Sequence, residues 1–259
     1  MLAPKFWYPE NNEISFSSLV LVPFGHIYSL LSKFRMSKAV KKQFDIPIVC
    51  IGNLNAGGTG KTPTTISAAQ FLRDRKYNVH IVSRGYGGNA MGPLSVNDKE
   101  HSANDVGDEA LMLSAFAPTW VASNRSDGIQ SAIKEGADIV LLDDGFQDPS
   151  VYKDLSILTV NAKKGFGNNR CIPAGPLREK LRNGLERADV LISIGTETSQ
   201  KTFKSIYKSY INMPLGIANL EVLNTGLSLK NMKVLAFAGI AHPENFFDTL
   251  RAQGAEIVD

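Results

Sequence analysis

Gly57-Gly58-Thr59-Gly60-Lys61-Thr62 decides the fold, because this glycine-rich stretch lies directly between a predicted strand and a predicted helix. Residues 46–51 before it (IPIVCI) are a short β-branched run, and residues 62–75 after it have helical spacing. Glycines allow successive backbone N–H groups to curl around phosphate oxygens, where a Cβ atom would clash. Lys61 supplies a positive charge, and the Thr62 hydroxyl is placed to coordinate Mg²⁺. The stretch therefore predicts a loop that binds the phosphates of a nucleotide.

The motif is irregular at its first position, because the strict pattern has glycine where this chain has Asn55. Asparagine tolerates the left-handed backbone better than most residues, so we expect the turn to survive. The alternative, a glycine-rich turn with an incidental lysine, is disfavoured by the strand–loop–helix context. The residues expected to bind the nucleotide in this loop are Asn55, Ala56, Gly57, Gly58, Thr59, Gly60, Lys61 and Thr62.

A pair of carboxylates forms the second candidate site. Asp143 and Asp144 follow the apolar run at residues 140–142, so they end a predicted strand. In phosphate-loop proteins an aspartate in this position holds Mg²⁺, and ligands gather at such strand ends. Asp-Asp-Gly is also ordinary turn chemistry, which leaves a solvated turn as the alternative. Together with the phosphate loop, the pair predicts a magnesium site made by Thr62, Asp143 and Asp144.

Strand-like and helix-like runs alternate along the rest of the chain, and the strands are continuously apolar rather than alternating. This pattern predicts an α/β fold of the P-loop NTPase type, with a mostly parallel sheet covered by helices on both faces. We expect an N-terminal membrane-associating segment at residues 1–42, a core at residues 43–205 and a smaller C-terminal α/β part at residues 206–259.

Composition narrows the class of protein. The formal net charge of +3 is too small to indicate a nucleic-acid partner, and the apolar fraction of 43% is that of a globular protein. Two cysteines without a CxxC pattern indicate neither a zinc site nor a disulfide framework, which is typical of a reducing compartment.

The N-terminal run at residues 16–31 (FSSLVLVPFGHIYSLL) is apolar and is followed by a basic cluster. It is shorter than a membrane-spanning helix and does not have the order of a signal peptide. An interfacial segment, with apolar side chains in the headgroup region and basic ones facing anionic lipid, fits the pattern. A buried first helix fits it equally well, because periodicity does not separate the two.

Further motifs follow in order over essentially the whole chain: SRGYGG at 83–88, GDEA at 107–110, DDGFQ at 143–147, GFGN at 165–168, PAGPLRE at 173–179 and AGIAHP at 238–243. With GNL at 52–54, the phosphate loop and the opening PKFW at 4–7, this set resembles the tetraacyldisaccharide 4′-kinase family. The resemblance implies transfer of the γ-phosphate of ATP, with Mg²⁺, to the 4′-hydroxyl of a tetraacyldisaccharide 1-phosphate in lipid A biosynthesis.

The resemblance also implies roles for single residues. Asp108 would be the base that accepts the hydroxyl proton, with His242 orienting it, and Gln147 would join Lys61 and its loop in binding ATP. Residues expected to face phosphate or sugar are Arg84, Arg125 and Arg178, the last at the start of a helix predicted over residues 177–187.

A family substrate that carries acyl chains also favours the interfacial interpretation of residues 16–31. The implied partners are an acylated glucosamine disaccharide lipid and the membrane surface, with no nucleic acid and no obligate protein partner. The implied location is peripheral, on the cytoplasmic face of the inner membrane of a Gram-negative bacterium.

Two departures from the family pattern keep alternatives open. Asp148 stands where the family usually has histidine after DDGFQ, and the chain stops at Asp259, earlier than family members usually do. We expect the histidine change to alter a polar contact near the Mg²⁺ site, without a catalytic role for Asp148. The alternatives to a lipid kinase are a nucleotide-switch ATPase of the same fold class and a shortened family member that does not turn over.

Overall fold

The computed structural model describes residues 3–9, 15–221, 228–238 and 243–258. Eight strands form one sheet in the order β3-β4-β2-β5-β1-β6-β7-β8, and all neighbours are parallel except β3, which is antiparallel to β4. In chain order the strands are β1 Ile48–Gly52, β2 Val79–Ser83, β3 Leu94–Ser95, β4 Thr119–Val121, β5 Ile139–Asp143, β6 Leu155–Asn161, β7 Val190–Ile194 and β8 Leu215–Ala218.

Helices cover both faces of this sheet. Successive strand residues separate into two apolar clusters: Ile81 and Leu141 pack with Ala69 on one face, and Val82 and Leu142 pack with Ile129 on the other. The predicted α/β fold with a mostly parallel, doubly covered sheet is therefore confirmed. The helices are α1 Phe16–Lys38, α2 Lys61–Asp74, α3 Ala103–Val106, α4 Asp108–Ser114, α5 Arg125–Lys134, α6 Leu181–Leu185 and α7 Glu197–Tyr207, preceded by a 3₁₀ turn at Lys5–Trp7.

The boundary predicted at residue 206 is wrong. β8 pairs in parallel with β7, from Leu191 opposite Leu215 to Ile194 opposite Ala218, so residues 206–218 complete the large sheet. The chain divides into Pro4–Ala218 and a second compact unit made mainly of Asn219–Asp259. In its described part, the second unit contains β9 Lys233–Val234, α8 Pro243–Ala252 and β10 Glu256–Ile257, and its two strands are parallel.

Helix α1 is inverted relative to an ordinary surface helix: its small residues face the protein, and its large apolar residues are exposed. Ser18 and Ser29 are buried, and a Cβ atom on Gly25 would lie 2.8 Å from the carbonyl oxygen of Cys171. The Ser18 hydroxyl donates to the Ala174 carbonyl at 2.7 Å. Nine large apolar side chains of α1 remain between 39% and 79% exposed: Phe16, Leu19, Val20, Phe24, Ile27, Tyr28, Leu30, Leu31 and Phe34. Within the described ranges no helix has the length and apolar content to cross a membrane.

A buried histidine links two central strands. His80 of β2 lies beside Trp120 of β4, and its Nδ1 accepts a hydrogen bond from the indole Nε1–H at 3.1 Å. Burial lowers the pKa of His80 below its ordinary value, although the nearby charges of Glu135 and Asp138 oppose this. Protonation would also replace the acceptor at Nδ1 with a donor that faces another donor.

The lowered pKa of His80 predicts that the folded state loses stability in acid. A group with a lowered folded pKa binds fewer protons when folded, so its contribution to stability is complete above the unfolded pKa of about 6.5 and is lost as pH falls below it. Thermal unfolding followed by tryptophan fluorescence, from Trp7 and Trp120, should therefore show a Tm that falls between pH 7 and pH 5.5. In His80→Asn, which keeps an acceptor but does not titrate, the fall should be smaller; an equal fall in both proteins would contradict this role.

Candidate active site

The phosphate loop connects β1 to α2 at the carboxyl edge of the sheet. Gly60 caps α2 in the left-handed conformation (φ 91°), and a Cβ atom there would lie 2.4 Å from the Ile194 Cδ1 atom. A Cβ atom added to Gly57 or Gly58 would contact nothing within 4 Å, so the loop borders open space there. This arrangement leaves room for a phosphate group at the N-terminus of α2.

Asn53 precedes the phosphate loop and fixes the conformation of the loop by hydrogen bonds. Its Nδ2 donates to the Gly57 carbonyl at 3.1 Å and to the Thr59 hydroxyl at 2.9 Å. Thr59 in turn contacts the Thr159 hydroxyl of β6 at 2.9 Å. These buried contacts fix the loop to two adjacent strands, so it is preorganised for its ligand.

Asn55 has a different role from the one that the motif suggested. Its backbone is not left-handed. Its side chain is buried and donates to the Gly165 carbonyl at 3.1 Å and to the Tyr8 hydroxyl at 3.3 Å. The next amide, of Ala56, donates to the Pro176 carbonyl at 2.7 Å. The turn therefore tolerates asparagine because the Asn55 side-chain amide joins the loop to the segment around Gly165, while the Ala56 backbone amide joins it to Pro176.

The two aspartates lie at the end of β5, on the side of Lys61. Asp143 is the last residue of β5, and its Oδ1 accepts a hydrogen bond from the Thr65 hydroxyl of α2 at 3.3 Å. Asp144 follows in the left-handed conformation (φ 50°) and places its Oδ2 3.9 Å from the Lys61 Nζ. The ammonium group and both carboxylates therefore meet next to the phosphate loop.

These carboxyl groups differ in their electrostatics. Burial, together with the charge of Glu109, raises the pKa of Asp143 to about 7, although Lys61 opposes the shift. Burial acts on Asp144 in the same direction, but the charges of Lys61 and Arg178 outweigh it and lower the pKa of Asp144. The Asp143 Oδ2 atom is buried and has no hydrogen-bond partner. An uncompensated buried carboxylate oxygen of this kind is what a cation would satisfy.

Arg178 lies in the loop before α6 and contacts both Asp144 and Gln147. The helix predicted over residues 177–187 is shorter, because α6 begins at Leu181. The Arg178 Nη1 donates to the Asp144 Oδ1 at 2.8 Å and to the Gln147 Oε1 at 3.2 Å. The Gln147 Nε2 donates to the Asn53 carbonyl at 2.8 Å. Gln147, predicted to bind ATP, thus connects the aspartate loop to the phosphate loop in this structure.

Arg125, predicted to face the substrate, is buried, and its guanidinium group binds other groups of the protein. Its Nη1 pairs with the Asp148 Oδ2 at 3.0 Å, and its Nη2 donates to the Asp144 carbonyl at 2.8 Å. The other Asp148 oxygen accepts from the Ser150 amide and hydroxyl at 2.9 and 2.6 Å. The aspartate in place of the usual histidine therefore gives Arg125 an ion-pair partner next to the residues predicted to bind magnesium.

A cleft of about 420 Å³ opens between these elements. Arg84, exposed on the loop after β2, lines it, and so does Arg35 of α1, whose Nη2 donates to the Gln147 carbonyl at 3.1 Å. Glu109 also lines the cleft, whereas Asp108 does not. Asp108 is the exposed first residue of α4, directly after Gly107, whose added Cβ atom would lie 2.4 Å from the Tyr86 carbonyl oxygen. Backbone contact with the Arg84 loop thus fixes the start of α4, where Asp108 comes one residue before Glu109 of the cleft lining.

Comparisons with known proteins identify the family of this chain. The family model of tetraacyldisaccharide-1-P 4′-kinase (LpxK) matches residues 17–259. The chain belongs to this family. It is 49% identical to the tetraacyldisaccharide 4′-kinase of Jannaschia sp. (strain CCS1), over 99% of this chain and 77% of the relative. It is 45% identical to that of Dinoroseobacter shibae, over 98% and 76%.

A solved LpxK structure has the same fold. The crystal structure of LpxK from Aquifex aeolicus in complex with ATP superposes with a TM-score of 0.74, at 26% identity, over 94% of this chain and 80% of that one. The resemblance inferred from the motifs is thereby confirmed, and so is the assignment to the LpxK kinases. The roles given to single residues stay predictions.

Within this LpxK family member, several residues that shape the site were not predicted from the sequence: Asn53, Thr65, Glu109 and Arg35. Asn53 and Glu109 lie inside quoted motifs, so motif membership could have found them. Thr65 lies one helical turn after Lys61, which was a usable signal, whereas nothing local points to Arg35. His242 lies outside the described residues.

The donor set fits a magnesium ion of the LpxK reaction. In the described ranges no group of three or more His, Cys, Asp or Glu side chains could hold a metal by itself. Mg²⁺ at phosphate sites typically takes one or two carboxylates, with the rest of its ligands from phosphate and water. Thr62, Asp143 and Asp144 supply such a partial set, and the unpartnered Asp143 oxygen is its clearest mark.

Proposed function

We propose that this chain transfers the γ-phosphate of ATP to the 4′-hydroxyl of a tetraacyldisaccharide 1-phosphate, a kinase reaction of lipid A biosynthesis. The observation that carries the proposal is the meeting of Lys61, Asp143 and Asp144 beside the phosphate loop of an LpxK family member. Phosphoryl transfer depends on positioning and charge stabilisation, and this group supplies both.

The phosphate end of the site consists of the loop and its cation. Amides of residues 57–62 and the N-terminus of α2 bind the phosphates of ATP, and Lys61 stabilises charge on the β- and γ-phosphates. Thr62, Asp143 and Asp144 hold Mg²⁺, which when bound neutralises charge on the transferring group. Arg178 already contacts Asp144 and adds a second positive charge at the cleft. Arg84, exposed in the same cleft, faces the phosphate or the sugar.

The acceptor end needs a base. Asp108 accepts the proton of the 4′-hydroxyl while the oxygen attacks the γ-phosphorus and the bond to the β-phosphate breaks, which releases ADP. A specific observation supports a second candidate for the base: Glu109 is the residue of this pair that lines the cleft. Both follow Gly107 at the start of α4, but consecutive helical residues point about 100° apart, so the two carboxylates face different directions.

The inverted helix α1 supports a membrane location. Its outward apolar side chains are suited to the acyl region of a bilayer surface, and the basic residues near its end to anionic headgroups. We place the enzyme peripherally on the cytoplasmic face of the inner membrane, where its acylated substrate enters the cleft from the bilayer. Arg35, on the same helix, brings this surface directly to the reaction cleft.

The α1 surface gives a testable prediction. Leu30→Glu should weaken binding to vesicles of phosphatidylglycerol and phosphatidylcholine by about tenfold or more, because burying a leucine contributes about 1.5–3 kcal/mol. Co-sedimentation with the vesicles measures this. Ile206→Glu is the matched control, since Ile206 on α7 is 58% exposed and Leu30 is 63% exposed. Equal losses in both variants would contradict a specific membrane face on α1.

The proposed reaction is tested by transfer of labelled γ-phosphate to tetraacyldisaccharide 1-phosphate in detergent micelles. Labelled lipid is the expected product, and its formation should require both ATP and Mg²⁺. Phosphate release without lipid, stimulated by a partner protein, would instead support a nucleotide-switch ATPase. Calorimetric ATP binding with no transfer would support a member of the family that does not turn over.

A further inference from the structure

A second and larger cavity lies next to the reaction cleft. Its volume is about 640 Å³, and it is bordered by α1, by the segment before β6 and by α6. Pro149 lines both spaces. On α1, Arg35 lines the cleft while the next residue, Met36, lines the second cavity. A ligand with two polar ends could therefore occupy both.

Most of the carboxylates around this cavity already accept hydrogen bonds from other groups of the protein. The Asp154 Oδ2 accepts a hydrogen bond from the Ile48 amide at 2.8 Å, and the Asp189 Oδ2 accepts one from the Ser156 amide at 2.7 Å. Glu179 forms a two-point contact with the Arg187 Nη2, at 2.7 Å to each oxygen. These anionic groups are partly neutralised or held by backbone amides, so they repel an incoming anion less than free carboxylates would.

Three lysines of the lining, in contrast, have no anionic partner in the described part of the chain. Lys33, Lys41 and Lys180 line the cavity and are exposed, and within the described ranges none of them forms a salt bridge. Over the same ranges Glu186 is the one lining carboxylate without a hydrogen bond or ion pair. A fourth lining lysine, Lys153, donates to the Asp148 carbonyl. The charged lining residues without a side-chain hydrogen bond or ion pair in these ranges are therefore three lysines and one glutamate. Serine hydroxyls of α1 and the Asn183 amide add neutral donors.

This cavity suits a phosphate at a membrane surface. Lysine binds phosphate as a point charge, and α1 carries its apolar face on the side opposite to the serines that line the cavity. The substrate named by the family carries a phosphate at position 1, at the far end of the disaccharide from the 4′-hydroxyl. Resting on the proposed function, we propose that this second cavity binds the 1-phosphate while the 4′-hydroxyl lies in the reaction cleft.

The test compares two lipid acceptors in neutral detergent micelles, the tetraacyldisaccharide with and without its 1-phosphate. The wild-type enzyme should have the lower KM for the phosphorylated acceptor. In Lys33→Ala/Lys180→Ala that KM should rise by about tenfold, since an exposed ion pair contributes up to about fivefold for each lysine. The KM for the acceptor without phosphate, the KM for ATP and kcat should stay at their wild-type values.

Lys38→Ala is the control, because Lys38 lies on the same helix outside the cavity, over the Phe34 ring. It should change the KM of both acceptors by the same factor. Equal KM ratios in wild type and the double variant, or no preference of the wild type for the 1-phosphate, would overturn the assignment. Turnover of both acceptors would still leave the proposed kinase function standing.

A second arm separates the substrate phosphate from that of bulk lipid. Phosphatidylglycerol is added to the micelles, and the same KM ratios are measured. A lysine-dependent effect that is confined to the acceptor with the 1-phosphate supports the assignment. An effect of the two lysines that follows phosphatidylglycerol content equally for both acceptors would assign them to bilayer lipid and overturn it.

Discussion

Lys61→Ala should lower lipid phosphorylation by at least about 10³-fold, because removing one preorganised donor at a reacting centre typically costs 10²–10³ and Lys61 also carries a full charge. Lys61 is 8% exposed and has its Nζ 3.9 Å from the Asp144 Oδ2, so it holds a full positive charge at a fixed position, which a neutral water molecule would not replace. The measurement is transfer of labelled γ-phosphate at saturating lipid. Asp144 keeps its contact with Arg178, so the variant should remain folded.

Lys99→Ala provides the matched control, since Lys99 is an exposed lysine outside the cleft. It should retain the wild-type rate. The unfolding midpoints of both variants, measured by circular dichroism, distinguish loss of chemistry from loss of the fold. If Lys61→Ala kept the wild-type rate with an unchanged midpoint, the phosphate loop would not be the catalytic ATP site.

The sheet and its phosphate loop could be predicted from the sequence because each rests on local rules. Glycines beside Lys61, between a β-branched run and a helical one, have few other interpretations, and Asp143 necessarily ends at the same sheet edge in a parallel arrangement. The boundary at residue 206 failed for the opposite reason. Whether β8 joins the large sheet depends on its pairing with β7, about twenty-five residues earlier, and no local signal records that pairing.

The finer geometry of the site depends on tertiary contacts that a single sequence does not display. Asn55 was expected to support a left-handed turn, but its amide is instead needed by Gly165 and Tyr8. Arg125 was expected to face substrate, and its partner Asp148 lies twenty-three positions away. In each case the residue type was informative, while its partner was set by the packing of separate loops.

Helix α1 shows a further limit of periodicity. An apolar stripe on a helix looks the same whether it faces a core or a membrane. The distinction comes from the opposite face, where Ser18, Gly25 and Ser29 allow close approach to the segment at residues 168–174. Small residues spaced along one face of an otherwise apolar helix are therefore the signal that could have decided the question.

The identity of the base gives the second large expected effect. Asp108→Asn should lower kcat by about 10²–10⁴-fold with little change in the KM for ATP, because the amide keeps the size of the side chain but cannot accept a proton. Glu109→Gln should lower kcat by no more than about fivefold, since Glu109 then acts only through its charge on Asp143 and a partly exposed charge contributes up to about 1 kcal/mol. The measurement is kcat for both variants at saturating ATP and lipid.

The comparison is sharp because the two carboxylates are consecutive residues of one short helix, so each variant controls for damage to α4 by the other. Gly107, in contact with the Arg84 loop, fixes where that helix begins, and neither substitution changes this backbone contact. A larger loss in Glu109→Gln than in Asp108→Asn would identify Glu109, which lines the cleft, as the base. It would also mean that the family motif marks the right turn of the chain but that the catalytic carboxylate is one residue further along.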